Sequence, residues 1–234
     1  MRLCVIPARG GSKRIPRKNI RNFCGKPMLA WSIDKAIKSR IFDYVVVSTD
    51  DPEIENEAQR WGATTPFRRP ESLANDLCGT TPVVAHATTW FLNQGFELQA
   101  VCCLYATAPF VKVDDIKAGY MLLEKSPPDR FVFTATEYSY PIQRSFRIDQ
   151  DTGLAQMREP EQFNMRSQDL EPAFHDAGQL YWGRPKAWLT SQNLFEGSKP
   201  LLLPSWRVQD IDTMDDWRRA ELIHHVLNEF PSED

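Results

Sequence analysis

Leu3-Cys4-Val5-Ile6-Pro7 runs straight into Ala8-Arg9-Gly10-Gly11-Ser12-Lys13-Arg14-Ile15-Pro16-Arg17-Lys18-Asn19. The first part is a short apolar strand. The second gathers adjacent glycines, a hydroxyl and the cations Arg9, Lys13, Arg14, Arg17 and Lys18. Gly10 and Gly11 lack a Cβ, so an anion can come close to the backbone there and meet successive N–H groups. The cations add charge-assisted hydrogen bonds, roughly twice as strong as neutral ones. A loop leaving the first strand of an α/β sheet also lies where ligand crevices form. The loop therefore reads as a triphosphate site, against the alternative of a solvated basic turn. It is neither a G-x-x-x-x-G-K-[ST] loop nor a G-x-G-x-x-G loop, so a nucleotide site of another class is expected.

Working outward, the chain alternates β and α signals as a mostly parallel sheet with crossover helices does. Helical spacing covers 28–39, a β-branched run covers 44–48, and Asp51-Pro52 opens a helix to Trp61. Helix is read over 80–92, buried strand over 100–104, helix over 113–124 and strand over 130–136. From 137 to about 172 the sequence turns polar with no sustained period. Such a stretch in a compact enzyme reads as an inserted lobe used for substrate or for a subunit contact. Gly178 to Trp182 returns as a strand, and 214–228 closes the chain as an amphipathic helix. One domain, 1–234, carries the lobe within it.

Composition suits an enzyme acting on a small anion. The chain has 234 residues, 42% hydrophobic and 25% charged, with a net charge of −3. The positive charge is concentrated in one loop, which argues against general nucleic-acid binding. Cys4, Cys24, Cys78, Cys102 and Cys103 form no C-x-x-C pair and are odd in number, a pattern of free thiols in a reducing compartment. Arg9 breaks the N-terminal apolar stretch too early for a signal peptide, and no apolar run approaches a membrane span. No membrane association and a cytoplasmic location are expected.

Three further constellations carry chemistry. Asp210-Ile211-Asp212-Thr213, read as a strand, puts two carboxylates on one side, as Mg²⁺ uses when substrate phosphates complete its shell. The same residues could equally cap the helix beginning near Met214. His175-Asp176-Ala177-Gly178-Gln179 offers a hydrogen-bonding surface around a glycine turn for a polyhydroxylated ligand, or simply structural hydrogen bonds. Arg144 and Arg166 could grip a carboxylate or merely solvate the lobe. Arg68-Arg69-Pro70, Leu73-Ala74-Asn75-Asp76 and Thr80-Thr81 link a strand-like segment to a helix, with Thr80 either a cap or a base-reading hydroxyl. His224 and His225 are expected on the surface of the last helix.

Taken together, these residues resemble the cytidylyltransferases that activate nonulosonic acids, the CMP-sialate synthetase group. The resemblance rests on Pro7-Ala8-Arg9-Gly10-Gly11-Ser12-Lys13, Pro16-Arg17-Lys18-Asn19, Gly25-Lys26-Pro27, Val47-Ser48-Thr49-Asp50, Arg69-Pro70 with Leu73-Ala74 and Asp76, and Asp210-Ile211-Asp212-Thr213. It implies a Rossmann-like, three-layer nucleotidyltransferase fold and transfer of CMP from CTP to a keto sugar acid, with pyrophosphate released. By that resemblance, Ala8, Arg9, Gly10, Gly11, Ser12, Lys13, Lys18, Asn19, Arg69, Cys78 and Thr80 bind the nucleotide. Arg9, Lys13, Lys18 and Asp212 serve catalysis, and Asp210 and Asp212 hold Mg²⁺. Where sialate-specific members show Arg-Pro-Asn-Gly, this chain has His175-Asp176-Ala177-Gly178, which with Tyr140-Pro141-Ile142-Gln143-Arg144 is similar to the pseudaminic acid branch. Tyr105, Gln143, Arg144, Arg166, His175, Asp176 and Gln179 are the implied sugar contacts, and a homodimer is implied. Ala106 stands where relatives usually carry proline.

Two other classes compete. Nucleotide-sugar glycosyltransferases also use an aspartate pair, but generally mid-chain and without a basic glycine loop near residue 9. A non-catalytic nucleotide-binding module would have no need of Asp210 and Asp212.

Overall fold

In a computed structural model that describes residues 1–190 and 193–229, six strands form one sheet in the order β10-β6-β9-β5-β1-β4. The strands are β1 (Arg2–Pro7), β4 (Tyr44–Ser48), β5 (Ala100–Leu104), β6 (Phe131–Glu137), β9 (Phe174–Gly183) and β10 (Lys199–Leu202). β1 pairs in parallel with β4 and β5, and β10 with β6, whereas β9 runs antiparallel between β5 and β6. The helices are α1 (Met28–Ser39), α2 (Pro52–Arg60), α3 (Thr80–Asn93), α4 (Val113–Glu124), α5 (Pro185–Thr190) and α6 (Met214–Glu229).

Strand residues point alternately to the two faces, and both faces are covered. Cys4, Ile6, Cys102, Leu104 and Trp182 pack with residues of α1, α2 and α4. Leu3, Val5, Val101, Cys103 and Tyr181 pack with α3 and α5. The result is a helix, sheet, helix sandwich, the three layers expected. Burial raises the thiols of Cys102 and Cys103 well above their usual range, so they are protonated core residues. The five cysteines are all free.

A third apolar cluster lies beyond the sheet. Ile15 from the basic loop and Ile211 from the aspartate segment are 1% and 0% exposed. They join Phe23, Met28, Phe110 and Trp217, next to the short hairpin of β2 (Asn22–Phe23) and β3 (Lys26–Pro27). Hydrophobic packing therefore ties the two distant motifs to one body.

Several expectations change. Residues 208–213 form no strand; they are an extended linker between β10 and α6. β9 begins at Phe174, so His175 and Asp176 are strand residues, and Gly178 at φ +61 marks an irregularity in the strand instead of a turn before it. His224 is half-buried, its ring edge-on to Trp31 at 4.7 Å and Phe23 at 5.7 Å, while His225 is exposed. Between β6 and β9 the chain leaves the sheet, forming short 3₁₀ turns and a small hairpin of β7 (Phe146–Ile148) and β8 (Ala155–Met157).

Candidate active site

The parallel strands β1, β4 and β5 end at one edge of the sheet, and the segments that follow them enclose a cleft there. Its free space is about 820 Å³, open mouth included. Arg9, Lys13 and Lys18 line it from the basic loop, Arg69, Cys78 and Thr80 from the segment before and into α3, Tyr105 from the end of β5, and Asp212 from the C-terminal linker.

Lys18 closes the longest connection in the site. Its ammonium donates to the Ile211 carbonyl at 2.6 Å and meets Asp212 Oδ1 at 3.3 Å. Arg14 meets Asp212 Oδ2 at 2.8 Å. Beneath these polar contacts lie Ile15 and Ile211, so each charged motif carries its own apolar anchor in the same cluster. Asp212 thus faces the cleft between two cations. Asp210 is exposed and does not line the cleft; its carboxyl is pushed up from the ordinary range, first by partial desolvation and then by the Asp212 charge. The alternative role of this segment is present as well: Thr213 Oγ1 accepts from Asp216 N, and Asp216 accepts from Thr213 N, a reciprocal cap on α6.

The glycines act differently from the expectation. Gly10 N donates to Asp50 Oδ1 at 3.0 Å, so that N–H is already taken. A Cβ at Gly10 would meet Asp51 Oδ2 at 2.5 Å. The glycine makes room for an aspartate that caps α2 by accepting from Glu53 N and Ile54 N. Gly11 is exposed, and Ala8 is buried with its N–H in the sheet ladder to Ser48. Arg17 also leaves the expected phosphate set. It sits at φ +57 and pairs with Asp51 and Glu53, both at 2.5 Å, clamping the loop to α2. Asn19 lines the cleft but spends its amide N–H on the Arg9 carbonyl at 2.9 Å, holding the loop closed on itself.

Asp76, which the sequence reading did not place in the site, bridges Arg9 and Lys13 at 2.6 Å each. Those hydrogen bonds, with Lys13 first and Arg9 second, hold its carboxyl below the usual range. The signal was available: Asp76 ends the Leu73-Ala74-Asn75-Asp76 motif, but its contact is with residues more than sixty positions away. Arg69 is 5% exposed and donates to the hydroxyl and the carbonyl of Ser48. Desolvation lowers its pKa to about 10, leaving it a cation at neutral pH with donors left over for a ligand.

The expected sugar contacts do not gather in one place on a single chain. Tyr105 lines the main cleft. His175 and Asp176 line an apolar recess with Phe133, Phe174 and Leu202, and the His175 ring lies 4.7 Å from that of Tyr138. Gln179 is buried and donates to the Arg207 carbonyl at 2.8 Å. Gln143 is buried and donates to Glu171 O within the lobe. Arg144 and Arg166 stand exposed on the lobe, with Arg144 donating to Met165 O.

The family model described as Cytidylyltransferase matches residues 3–180. The chain belongs to the cytidylyltransferase family. It is a nucleotidyltransferase by that membership. It is 44% identical over 228 residues to the pseudaminic acid cytidylyltransferase of Campylobacter jejuni subsp. jejuni serotype O:2, covering 97% of each chain. It is 32% identical over 235 residues to the CMP-N,N'-diacetyllegionaminic acid synthase of Legionella pneumophila, again covering 97% of each. Among solved structures it is similar to CMP:2-keto-3-deoxy-manno-octonic acid synthetase complexed with CTP, at TM-score 0.68 and 18% identity over 96% of this chain and 98% of that one. It also resembles 4-diphosphocytidyl-2C-methyl-D-erythritol synthase from Anaerococcus prevotii, at TM-score 0.62, 13% identity and the same coverage. Those two share the fold, a Rossmann-like nucleotidyltransferase sandwich with one antiparallel strand inside a mostly parallel sheet here.

Proposed function

We propose that this cytidylyltransferase transfers CMP from CTP to the anomeric hydroxyl of pseudaminic acid and releases pyrophosphate. The observation that carries the reading is the meeting of Lys18 with Ile211 and Asp212, which brings the basic loop and the Asp212 carboxylate together in one cleft. Arg9, Lys13 and Lys18 neutralise the triphosphate and the charge that develops on the departing pyrophosphate. Arg69 and Thr80 hold the nucleoside. Catalysis rests on in-line positioning and charge, with no covalent intermediate.

Asp210 and Asp212 fit Mg²⁺ by their chemistry. Both are hard oxygen donors, and Asp210 carries like-charge strain from Asp212 that a cation relieves. Two carboxylates leave most of an octahedral Mg²⁺ shell to substrate phosphate oxygens and water, which would complete it. The bound ion would supply charge neutralisation on the phosphates.

The acceptor reading rests on the recess that His175 and Asp176 line. Its lining is largely apolar, with His175 and Asp176 at its rim, which suits an acid ending in a methyl and bearing acylamino groups. The lobe exposes Tyr140, Ile142, Phe146, Ile148, Leu154 and Phe163, apolar side chains of the kind a subunit contact buries. A second copy covers it, and in the resulting homodimer Arg144 and Arg166 reach the partner's sugar site. The enzyme works in the cytoplasm, where its free thiols persist. Among the described residues no helix is long and apolar enough to cross a membrane.

The test is CTP, Mg²⁺ and a panel of pseudaminic, legionaminic, sialic and 3-deoxy-octulosonic acids, with pyrophosphate and CMP-sugar measured. Preferred turnover of pseudaminic acid is expected. Equal or better turnover of sialic acid removes the acceptor assignment. Light scattering at working concentration reads the dimer.

A further inference from the structure

Arg207 is the last residue of a 3₁₀ turn, Ser205–Arg207, and stands a few positions before Asp210. It is 6% exposed, and its two terminal nitrogens donate to the two oxygens of Asp115 at 2.8 and 3.1 Å. Asp115, in the first turn of α4, also accepts from the Lys112 N–H at 2.8 Å, which fixes the carboxylate to the start of that helix. The Arg207 main chain is held as well: its carbonyl accepts from the Gln179 amide at 2.8 Å. A carbonyl only accepts, so this contact fixes which end of the amide faces Arg207. Gln179 lies within β9, and its own carbonyl accepts from the N–H of Tyr105, a cleft-lining residue, at 2.9 Å. Two separate elements, α4 and β9, therefore grip the side chain and the main chain of Arg207.

Stability alone is a poor reason for this arrangement. Among the described residues, Arg207 Nε and Gln179 Oε1 are buried with no hydrogen-bond partner. Unpaired buried polar atoms are unfavourable, and a buried ion pair often does no better than apolar side chains of similar volume. What the arrangement secures is the place of the main chain. Only Val208 and Gln209 separate Arg207 from Asp210. The far end of the same linker is fixed by Ile211 in its apolar cluster and by the Asp212 N–H, which donates to Asp216 Oδ2 at 3.2 Å. Asp210 lies between the two fixed ends, and Asp212 sits on the second.

We propose that Arg207, set by Asp115 and Gln179, is a positioning residue for the aspartate pair: it fixes the upstream end of the linker so that Asp210 and Asp212 can bind one divalent cation together. Gln179, expected as a sugar contact, acts in this scheme on the metal side of the reaction. The inference rests on the Mg²⁺ reading of the pair and extends it to the residues that hold the pair in register.

The experiment is calorimetric binding of CTP with no sugar acid present, once in EDTA and once in saturating Mn²⁺. The ratio of the two dissociation constants is the advantage that a protein-held cation gives. Two variants are compared with the wild type. Gln179→Leu frees the Arg207 carbonyl, and the double variant Asp115→Leu with Arg207→Met removes both charges, so that neither is left buried alone. Loss of a group that orients a metal ligand typically costs about 10- to 100-fold in metal affinity, and Arg207 acts at one further remove along the chain. The Mn²⁺ advantage should fall about tenfold in each variant, with the dissociation constant in EDTA within about twofold of wild type. A merely structural role would weaken CTP alike with and without metal, and that result overturns the proposal. So does a Mn²⁺ advantage unchanged within about twofold in either variant. Where one variant shows no cooperative thermal transition, the other decides by the same two criteria. Asp210→Asn separates this inference from the reading beneath it. If that substitution leaves the Mn²⁺ advantage intact, the metal reading of the pair fails and takes this inference with it; if it abolishes the advantage while the two test variants keep it, this inference alone fails.

Discussion

Ile211→Ala tests whether a hydrophobic contact assembles the active site. Ile211 is fully buried beside Ile15, with Asp210 and Asp212 on either side of it in sequence. The substitution removes three side-chain carbons, about 2.4 kcal/mol at ~0.8 kcal/mol per CH₂. The cavity left behind raises the loss to about 3–4 kcal/mol. For a chain of this length the melting temperature should drop by roughly 6–16 °C. The functional consequence is larger than the packing loss alone would suggest, because Ile211 also presents the carbonyl that Lys18 holds at 2.6 Å. A shift of about 1 Å in a positioned group can cost ~10²-fold in rate. Urea unfolding at pH 7 and kcat with saturating CTP, measured below the melting point, read the two effects separately. A stability loss under about 1 kcal/mol together with near-wild-type kcat would refute the idea that core packing sets the aspartate pair against the basic loop.

Further predictions follow from single contacts. Asp212→Asn should lower kcat by at least ~100-fold, about 2.7 kcal/mol by transition-state arithmetic, while its half-exposed pairs with Arg14 and Lys18 cost under about 1 kcal/mol of stability; a near-wild-type kcat contradicts the metal role. Asp76→Asn frees Arg9 and Lys13 from a competing carboxylate, so CTP binding measured by calorimetry should tighten by roughly threefold to tenfold, an advantage that shrinks in high salt. Asp51→Ala removes the α2 cap and the Arg17 partner and should cost about 1 kcal/mol or somewhat more in urea unfolding. Because Arg17 holds the Asp51 carboxyl below its ordinary range, that advantage of the wild type is complete above the unfolded value of about 4 and is lost only as pH falls through the lower folded value. A wild-type advantage that fades between pH 8 and 5 would contradict the sign.

The parts of the fold visible in the sequence are those with a local cause. The β-branched run at 44–48, the Asp51-Pro52 cap and the helical spacing of 28–39 each declare themselves within a few residues, and the structure has elements there. The direction of β9 was not legible, since a strand buried on both faces carries the same apolar pattern whichever way it runs. Nor was the start of β9, because a strand that bends at Gly178 reads as a turn. In the site, the clustering of Arg9, Lys13, Lys18, Arg69, Thr80 and Asp212 in one cleft follows from motifs whose spacing carries their chemistry. What sequence could not show is how charges choose partners at long range. Arg17 and Lys18 are neighbours with the same charge, yet one clamps α2 while the other holds the Asp212 segment. Asp76 and Gln179 show the same limit: one faces the basic loop, the other is buried under Arg207.

The central claim is the reaction itself. Incubation of the purified chain with CTP, Mg²⁺ and pseudaminic acid, with the sugar product resolved from free nucleotide, should give equimolar CMP-pseudaminate and pyrophosphate and lose both on chelation. Pyrophosphate without a CMP-sugar, or CMP-sugar formed as well from sialic acid as from pseudaminic acid, would contradict it.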